Sequence, residues 1–181
     1  MKKEYIIYII VAAITLIIGC SILSKKMSGG KLPEPATPIH WISIEEATQA
    51  AKKDGKRIYI DFYTEWCGFC KKMDQSTYRD TALIRYLNAN YHAVKLDAEA
   101  ATIKADGKDY RLSGQFNQFA INTMNGEMAF PTTVILEPSL AGTFKQAGYM
   151  DPVTVRAIAS YFGEKMYEKK VKLDEYVNKF K

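Results

Sequence analysis

The sequence predicts an α/β fold, a central mixed β-sheet flanked by helices, on three observations. Arg57 to Tyr63 is an apolar and aromatic run with one acid, Asp61, and it leads within four residues into Cys67 and Cys70. Tyr91 to Asp97, YHAVKLD, is a second core strand that follows a helical stretch. Phe130 to Leu136, FPTTVIL, is a third strand, opened by a proline that cannot donate to a ladder and so belongs at a strand's first position. With 181 residues, 48% hydrophobic and 25% charged, the chain can build one domain with a substantial core. The net charge of +5 is spread, with a mild cluster at Lys165, Lys169, Lys170 and Lys172. Solvated helix faces account for it, and no nucleic-acid partner is expected. No internal repeat or low-complexity tract interrupts the chain.

Met1 to Glu4 is a short basic start, and Tyr5 to Ile18 is almost unbroken apolar sequence. Ile17-Ile18-Gly19-Cys20-Ser21 resembles a bacterial lipoprotein signal, in which the cysteine becomes lipidated and N-terminal after cleavage. Ile17 stands where leucine is commoner. The alternative is an uncleaved anchor from Tyr5 to Leu23, just long enough for a bilayer. Both readings place the rest of the chain outside the cytoplasm, on a membrane, in the periplasm if the cell is Gram-negative. Lipidation of Cys20 also resolves an odd count of three cysteines, because it leaves one redox pair. Residues 21–40 carry SGG and PEPATP and read as a linker, with Ile39 and Trp41 as anchors if the segment packs instead. A main domain is then expected over 41–163 and a helical extension over 164–181.

Ser43 and Glu46 form a capping-box pattern for a helix from about Ile44 to Lys53, stopped by Asp54-Gly55. The strand and CxxC follow. A cysteine in the first turn of a helix faces unpaired backbone N–H groups and the positive end of the helix dipole. The dipole contributes roughly 0.3–1 kcal/mol, up to about 2 in a sheltered site, which lowers the thiol pKa by about one unit. A Cys70 S–H donating to the Cys67 sulfur adds to this, and so does Lys71 if it shares that face. Cys67 is therefore the expected nucleophile, and Cys70, one helical turn on, the resolving thiol. A zinc half-site is the competing reading. It would need two more ligands, and beyond this pair the chain offers only Cys20, His40 and His92. No metal and no bound cofactor are expected.

The segment DFYTEWCGFCKKM resembles the active-site segment of the thioredoxin superfamily, whose usual form is close to DFWAxWCGPCK. The likeness covers the strand, its acid, the Trp before the first Cys, and the CGxC pair, and it implies the thioredoxin fold. It further implies that Asp61 is the buried acid behind the cysteines, which helps to move the proton of the resolving thiol. The resemblance extends from roughly Ile42 to Phe162.

Ser76 to Asp80 leads into a helix from about Thr81 to Ala89, and Tyr91 to Asp97 follows as a strand. Lys95, in a KLD setting, matches the family lysine that pairs with the buried acid. His92 reads as a surface strand residue. Ala98 to Lys108 is expected to be a loop. Asp109 to Ala120 has Tyr110, Leu112, Phe116 and Phe119 at roughly helical spacing, weakened by Gly114. Asn122 to Ala129 is a further loop. Phe130-Pro131-Thr132 resembles the family's cis-proline site, which lies against the CxxC and lets neighbouring backbone bind the substrate chain. Glu137 to Gly142 reads as a hairpin turn, Thr143 to Gln146 as its return strand, and Gly148 matches a family glycine beside the active site. Asp151-Pro152 caps a helix reaching about Phe162. Glu164 to Lys181 is amphipathic, suited to packing on the domain or to a partner.

The likeness is to thioredoxin-related periplasmic proteins of the kind resembling the C-terminal domain of the thiol:disulfide interchange protein DsbD. It implies a membrane-anchored thiol–disulfide oxidoreductase that reduces disulfides of exported proteins, with electrons from an upstream dithiol protein. Trp66, Gly68, Phe69, Phe130, Pro131 and Gly148 are the expected substrate-binding residues. Phe69 replaces the family's common proline and Tyr63 a common tryptophan, and residues between the cysteines tune the direction of electron flow. Two rivals stay open: an oxidase or isomerase with the same cysteines, and a non-enzymatic module that holds clients in the groove around Trp66, Phe69 and Phe130.

Overall fold

Residues 37–180 are described by a computed structural model. The signal or anchor over 1–20, Cys20, and the linker as far as residue 36 lie outside the described residues.

Among the described residues, seven strands and six α-helices follow in chain order. They are α1 (Ile44–Asp54), β1 (Arg57–Tyr63), α2 (Gly68–Gln75), α3 (Thr81–Asn90), β2 (Tyr91–Asp97), β3 (Thr102–Ala105), β4 (Lys108–Ser113), β5 (Phe116–Asn117), α4 (Gln118–Thr123), β6 (Thr132–Leu136), β7 (Gly142–Ala147), α5 (Pro152–Gly163) and α6 (Leu173–Phe180). The central sheet has the order β2-β1-β6-β7. β1 and β2 are parallel, joined through α2 and α3, whereas β6 and β7 are antiparallel additions. The mixed sheet flanked by helices is thus as the sequence predicts.

β1 is buried on both faces, so its residues are apolar almost throughout. Strand alternation sends Ile58, Ile60 and Phe62 into a layer with α1 and α4 residues Ile44, Ala47, Ala51, Phe119 and Ala120. Tyr59 goes the other way, into a layer with Met73 of α2, Leu83 and Leu87 of α3, and Val155, Ile158 and Phe162 of α5. Asp61 shares the parity of Tyr59 and therefore points beneath α2. Each fully buried Phe or Ile side chain here contributes roughly 1.5–3 kcal/mol.

Local signals set the helix starts. Ser43 and Glu46 form the expected capping box on α1, Asp80 caps α3 by accepting from the Leu83 N–H at 2.7 Å, and Asp151 caps α5 ahead of Pro152. From Ile39 onward the chain already packs on the domain: Ile39 is buried and Trp41 bridges to Ala93 on the β2 edge.

Two expectations are corrected between Ala98 and Ala120. The expected loop and helix are instead an antiparallel sheet, β3-β4-β5, followed by the short α4. Asp106 and Gly107 form its turn, with φ of 52° and 76° between the paired residues Ala105 and Lys108. A two-residue Asp-Gly turn of this hand matches strand twist and closes a hairpin. The apolar spacing at Tyr110, Leu112 and Phe116 mimics a helix because three short strands interrupt it.

The C-terminal segment packs on the domain. Met166, Leu173, Tyr176 and Val177 lie against the Tyr161–Phe162 end of α5. The buried Arg57 guanidinium ties it down, donating to Phe162 O at 2.6 Å, to the Tyr167 hydroxyl at 2.6 Å and to the Glu137 carboxylate at 2.8 Å.

Candidate active site

The end of β1 hands the chain to Thr64-Glu65-Trp66 and then to Cys67, which caps α2. The Cys67 N–H donates to Thr64 O at 3.1 Å, closing the turn. Cys67 and Cys70 are joined in a disulfide, and Cys67 Sγ accepts from the Cys70 backbone N–H at 3.0 Å. That N–H is one of those a helix start leaves unpaired. When the disulfide is reduced, the same donor and the helix dipole favour a thiolate at Cys67. Lys71, the cation considered from sequence, is exposed on α2.

The charged group beneath α2 comes from the sheet. In the parallel register, Asp61 stands opposite Lys95, so both project to the same face. Asp61 is fully buried, and Lys95 Nζ stands 3.5 Å from its Oδ2. Among the described residues, neither Asp61 oxygen accepts a well-formed hydrogen bond. Burial pushes the Asp61 carboxyl up to about 7, opposed by the Lys95 charge and reinforced by the Asp74 charge. The Tyr78 hydroxyl, 3.1 Å from that of Tyr59, opposes the shift weakly. Lys95 also pairs with Asp74 on α2 and stands 5.1 Å from the Tyr63 ring centre. A carboxyl that titrates near neutrality, beneath the helix that carries the dithiol, can take up or release a proton at ordinary pH. Asp74 was not singled out from sequence, although its place four residues after Cys70 puts it on the helix face that contains Cys70.

The Phe130–Pro131 peptide bond is cis. Thr132 pairs with Phe62 across the antiparallel ladder, so Pro131 sits at the end of β1 that leads to Cys67. Gly148 follows β7, donates its N–H to Pro131 O at 2.8 Å, and has φ of 98°, a conformation that side chains rarely adopt. Trp66, just before Cys67, and Phe69, between the cysteines, are each 61% exposed, and Gly68 beside Phe69 is exposed too. The Trp66 ring meets Phe130 edge-on at 5.8 Å. The structure therefore gathers Trp66, Cys67, Phe130, Pro131 and Gly148 at one end of the sheet. His92 lies apart, bound to Asp54 at 3.0 Å. Among the described residues, no group of three or more His, Cys, Asp or Glu could hold a metal ion.

Residues 44–163 match the model of a thioredoxin-like domain family. Over 68 residues the chain is 35% identical to the thiol:disulfide interchange protein DsbD of Ralstonia nicotianae, a match covering 38% of this chain and 10% of that protein. Two solved structures share the fold. One is a thioredoxin-fold protein from Helicobacter pylori, with 14% identity, a TM-score of 0.53, and coverage of 86% of this chain and 92% of that one. The other is a candidate disulphide isomerase from Bacteroides thetaiotaomicron, with 22% identity, a TM-score of 0.51, and coverage of 72% and 96%.

Proposed function

The chain belongs to the thioredoxin-like domain family, and from that premise we propose that it is a membrane-anchored, extracytoplasmic thiol–disulfide oxidoreductase that reduces disulfides of exported proteins. The observation that carries the reading is the Cys67–Cys70 disulfide at the start of α2, above a buried Asp61 with Lys95 beside it.

In the reduced protein, the Cys67 thiolate attacks one sulfur of a substrate disulfide. A Cys67–substrate bond forms, the substrate S–S bond breaks, and the first substrate thiolate leaves and is protonated. Cys70 gives its proton to the Asp61 carboxylate, directly or through water, and its thiolate attacks Cys67 Sγ. The Cys67–Cys70 bond forms as the Cys67–substrate bond breaks, and the second substrate thiolate leaves and takes a proton from Asp61 or water. Two electrons pass from the dithiol to the substrate disulfide, and an upstream dithiol protein must restore the reduced pair. Trp66, Gly68, Phe69, Phe130, Pro131 and Gly148 form the surface on which the substrate chain rests. The match to a protein named for thiol:disulfide interchange supports exchange chemistry, and the reductive direction is what the resemblance to the thioredoxin superfamily implies.

Among the described residues, no helix is long and apolar enough to cross a membrane. Anchoring therefore rests on the sequence from Tyr5 to Cys20, as a lipidated Cys20 or an uncleaved span.

The test is the equilibrium reduction potential of Cys67–Cys70 in a dithiothreitol or glutathione buffer. A value near −270 mV, roughly that of thioredoxin, is expected for a reductase. A value near −120 mV, roughly that of strong oxidants, would overturn the direction and make the protein a disulfide donor. A Cys70→Ser variant should accumulate covalent adducts that identify substrates, and Cys67→Ser should form none.

A further inference from the structure

We infer that the hairpin from Thr102 to Asn117 is the specificity-determining wall of the redox site, its inner residues Gln115 and Phe116 positioning Trp66 and Phe130 for an extended polypeptide segment with an apolar side chain beside its disulfide. This rests on the exchange reading proposed above.

The hairpin is fastened to the site. Asn117 is fully buried, and its side-chain amide donates to Ala100 O at 2.9 Å and Tyr110 O at 2.8 Å while its oxygen accepts from the Phe119 N–H at 2.9 Å. Its own N–H donates to Ala98 O at 2.7 Å, just beyond β2. A buried amide satisfied on every side holds one geometry. From that base, Ser113 and Phe116 pair across a two-residue turn, Gly114-Gln115. Gln115 Nε2 donates to Glu99 Oε1 at 2.6 Å, and the Glu99 carboxylate accepts from Trp66 Nε1 at 3.0 and 3.1 Å. Phe116 packs against Phe130 at 5.6 Å with the rings tilted by 46°, and Phe130 meets Trp66 at 5.8 Å. Trp66, Glu99, Gln115, Phe116 and Phe130 thus close a ring of contacts beside Cys67.

An exposed indole and a half-buried phenyl ring left to themselves sample several rotamers and lose that freedom when a ligand arrives. Held beforehand, two such rings strengthen binding by about tenfold. A polypeptide laid across Trp66 and Phe130 gains from this, whereas a small aliphatic disulfide that touches only the sulfur does not. The exposed Trp66 ring next to Cys67, and the half-buried Phe130 ring that it meets, define the occupant.

Pre-reduced protein is mixed with insulin or with hydroxyethyl disulfide, and oxidation of Cys67–Cys70 is followed in single turnover. In a Gln115→Ala/Phe116→Ala variant, half-saturation by insulin should shift upward about tenfold, with the limiting rate and the hydroxyethyl disulfide rate within about twofold of wild type. Gln115→Ala alone removes an exposed side chain and should move half-saturation in the same direction. Glu99→Ala should behave likewise, and Glu99→Gln, which keeps an acceptor for Trp66 Nε1, should restore most of the loss. Equal losses on both disulfides, or unchanged half-saturation by insulin, would overturn the inference while leaving exchange intact. A wild-type protein that reduces neither disulfide would overturn exchange and the hairpin's role together.

Discussion

Lys95 Nζ stands 3.5 Å from Asp61 Oδ2 and at the same time pairs with the carboxylate of Asp74, so one ammonium serves two acids of unequal burial. Asp61 is fully buried and Asp74 is open to solvent on one side. Burial penalises the charged form of Asp61, and an ammonium shared with Asp74 offsets only part of that penalty. This is why Asp61 titrates near 7 despite a cation beside it.

That shift makes stability depend on pH. Asp61 keeps its proton in the folded, oxidised protein up to about pH 7, but in the unfolded chain only up to about pH 4. Between those limits the folded state binds more protons, so stability falls as pH rises through the window and is level above it. Asp61→Asn carries no such proton. Its gain over wild type should be small at pH 4 and reach a few kcal/mol, about 4 at most, by pH 8. Urea unfolding at pH 4, 6 and 8 checks this, and a gain that does not change with pH would count against it.

The same carboxyl should govern the second half of turnover. Asp61→Asn should slow release of the mixed disulfide more than its formation, as measured by rapid quench with a substrate peptide. Equal slowing of both steps would remove Asp61 from the proton path.

Lys95 and Asp74 should tune that step in opposite directions. The groups facing Asp61 are Lys95 from β2, Asp74 from α2, Tyr78 from the turn after α2, and Tyr59 from its own strand. Lys95→Met removes the only cation among them and should move the pH midpoint of mixed-disulfide release upward by about one unit or more. Asp74→Asn removes a competing acid and should move it downward. Midpoints that stay in place in both variants would show that the step does not depend on Asp61.

Arg57 joins the first residue of β1 to the C-terminal segment. Arg57→Ala leaves Phe162 O and the Tyr167 hydroxyl without their donor and should cost about 2 kcal/mol or more. Arg57→Lys keeps the charge but not the three-way fork and should recover only part of this. Thermal unfolding of both variants, with limited proteolysis after residue 163, measures it.

Gly148 provides a test of the backbone beside Pro131. With φ of 98°, Gly148→Ala should destabilise by about 1–2 kcal/mol through backbone strain alone, since a Cβ there would meet no atom within 4 Å. An unchanged unfolding midpoint would show that the loop relaxes freely.

Much of this protein is legible in its sequence because its strongest signals are local. A continuous apolar run is enough for β1, whose bounds Arg57–Tyr63 match those read from composition. Ser43 with Glu46, and Asp151 with Pro152, mark helix starts through side chains that bond within three residues. The CxxC at a strand-to-helix turn likewise needs only its neighbours to be recognised. The stretch from Ala98 to Ala120 is not legible from local pattern, because three short strands and the start of a helix crowd into it. Asp106-Gly107 was the available signal for the hairpin.

What the tertiary structure decided is the environment of each group. Whether Asp61 is charged depends first on its burial and then on how Lys95 divides itself between Asp61 and Asp74. That division follows from the β1–β2 register and the path of α2 over the sheet. Whether Trp66 is free or held depends on Glu99 and Gln115, brought to it by a hairpin fastened at a buried Asn117. Local pattern specifies which elements form, because propensity and capping act over a few residues. Proton affinity and ring orientation arise from dielectric and contact, which exist only once distant segments have packed.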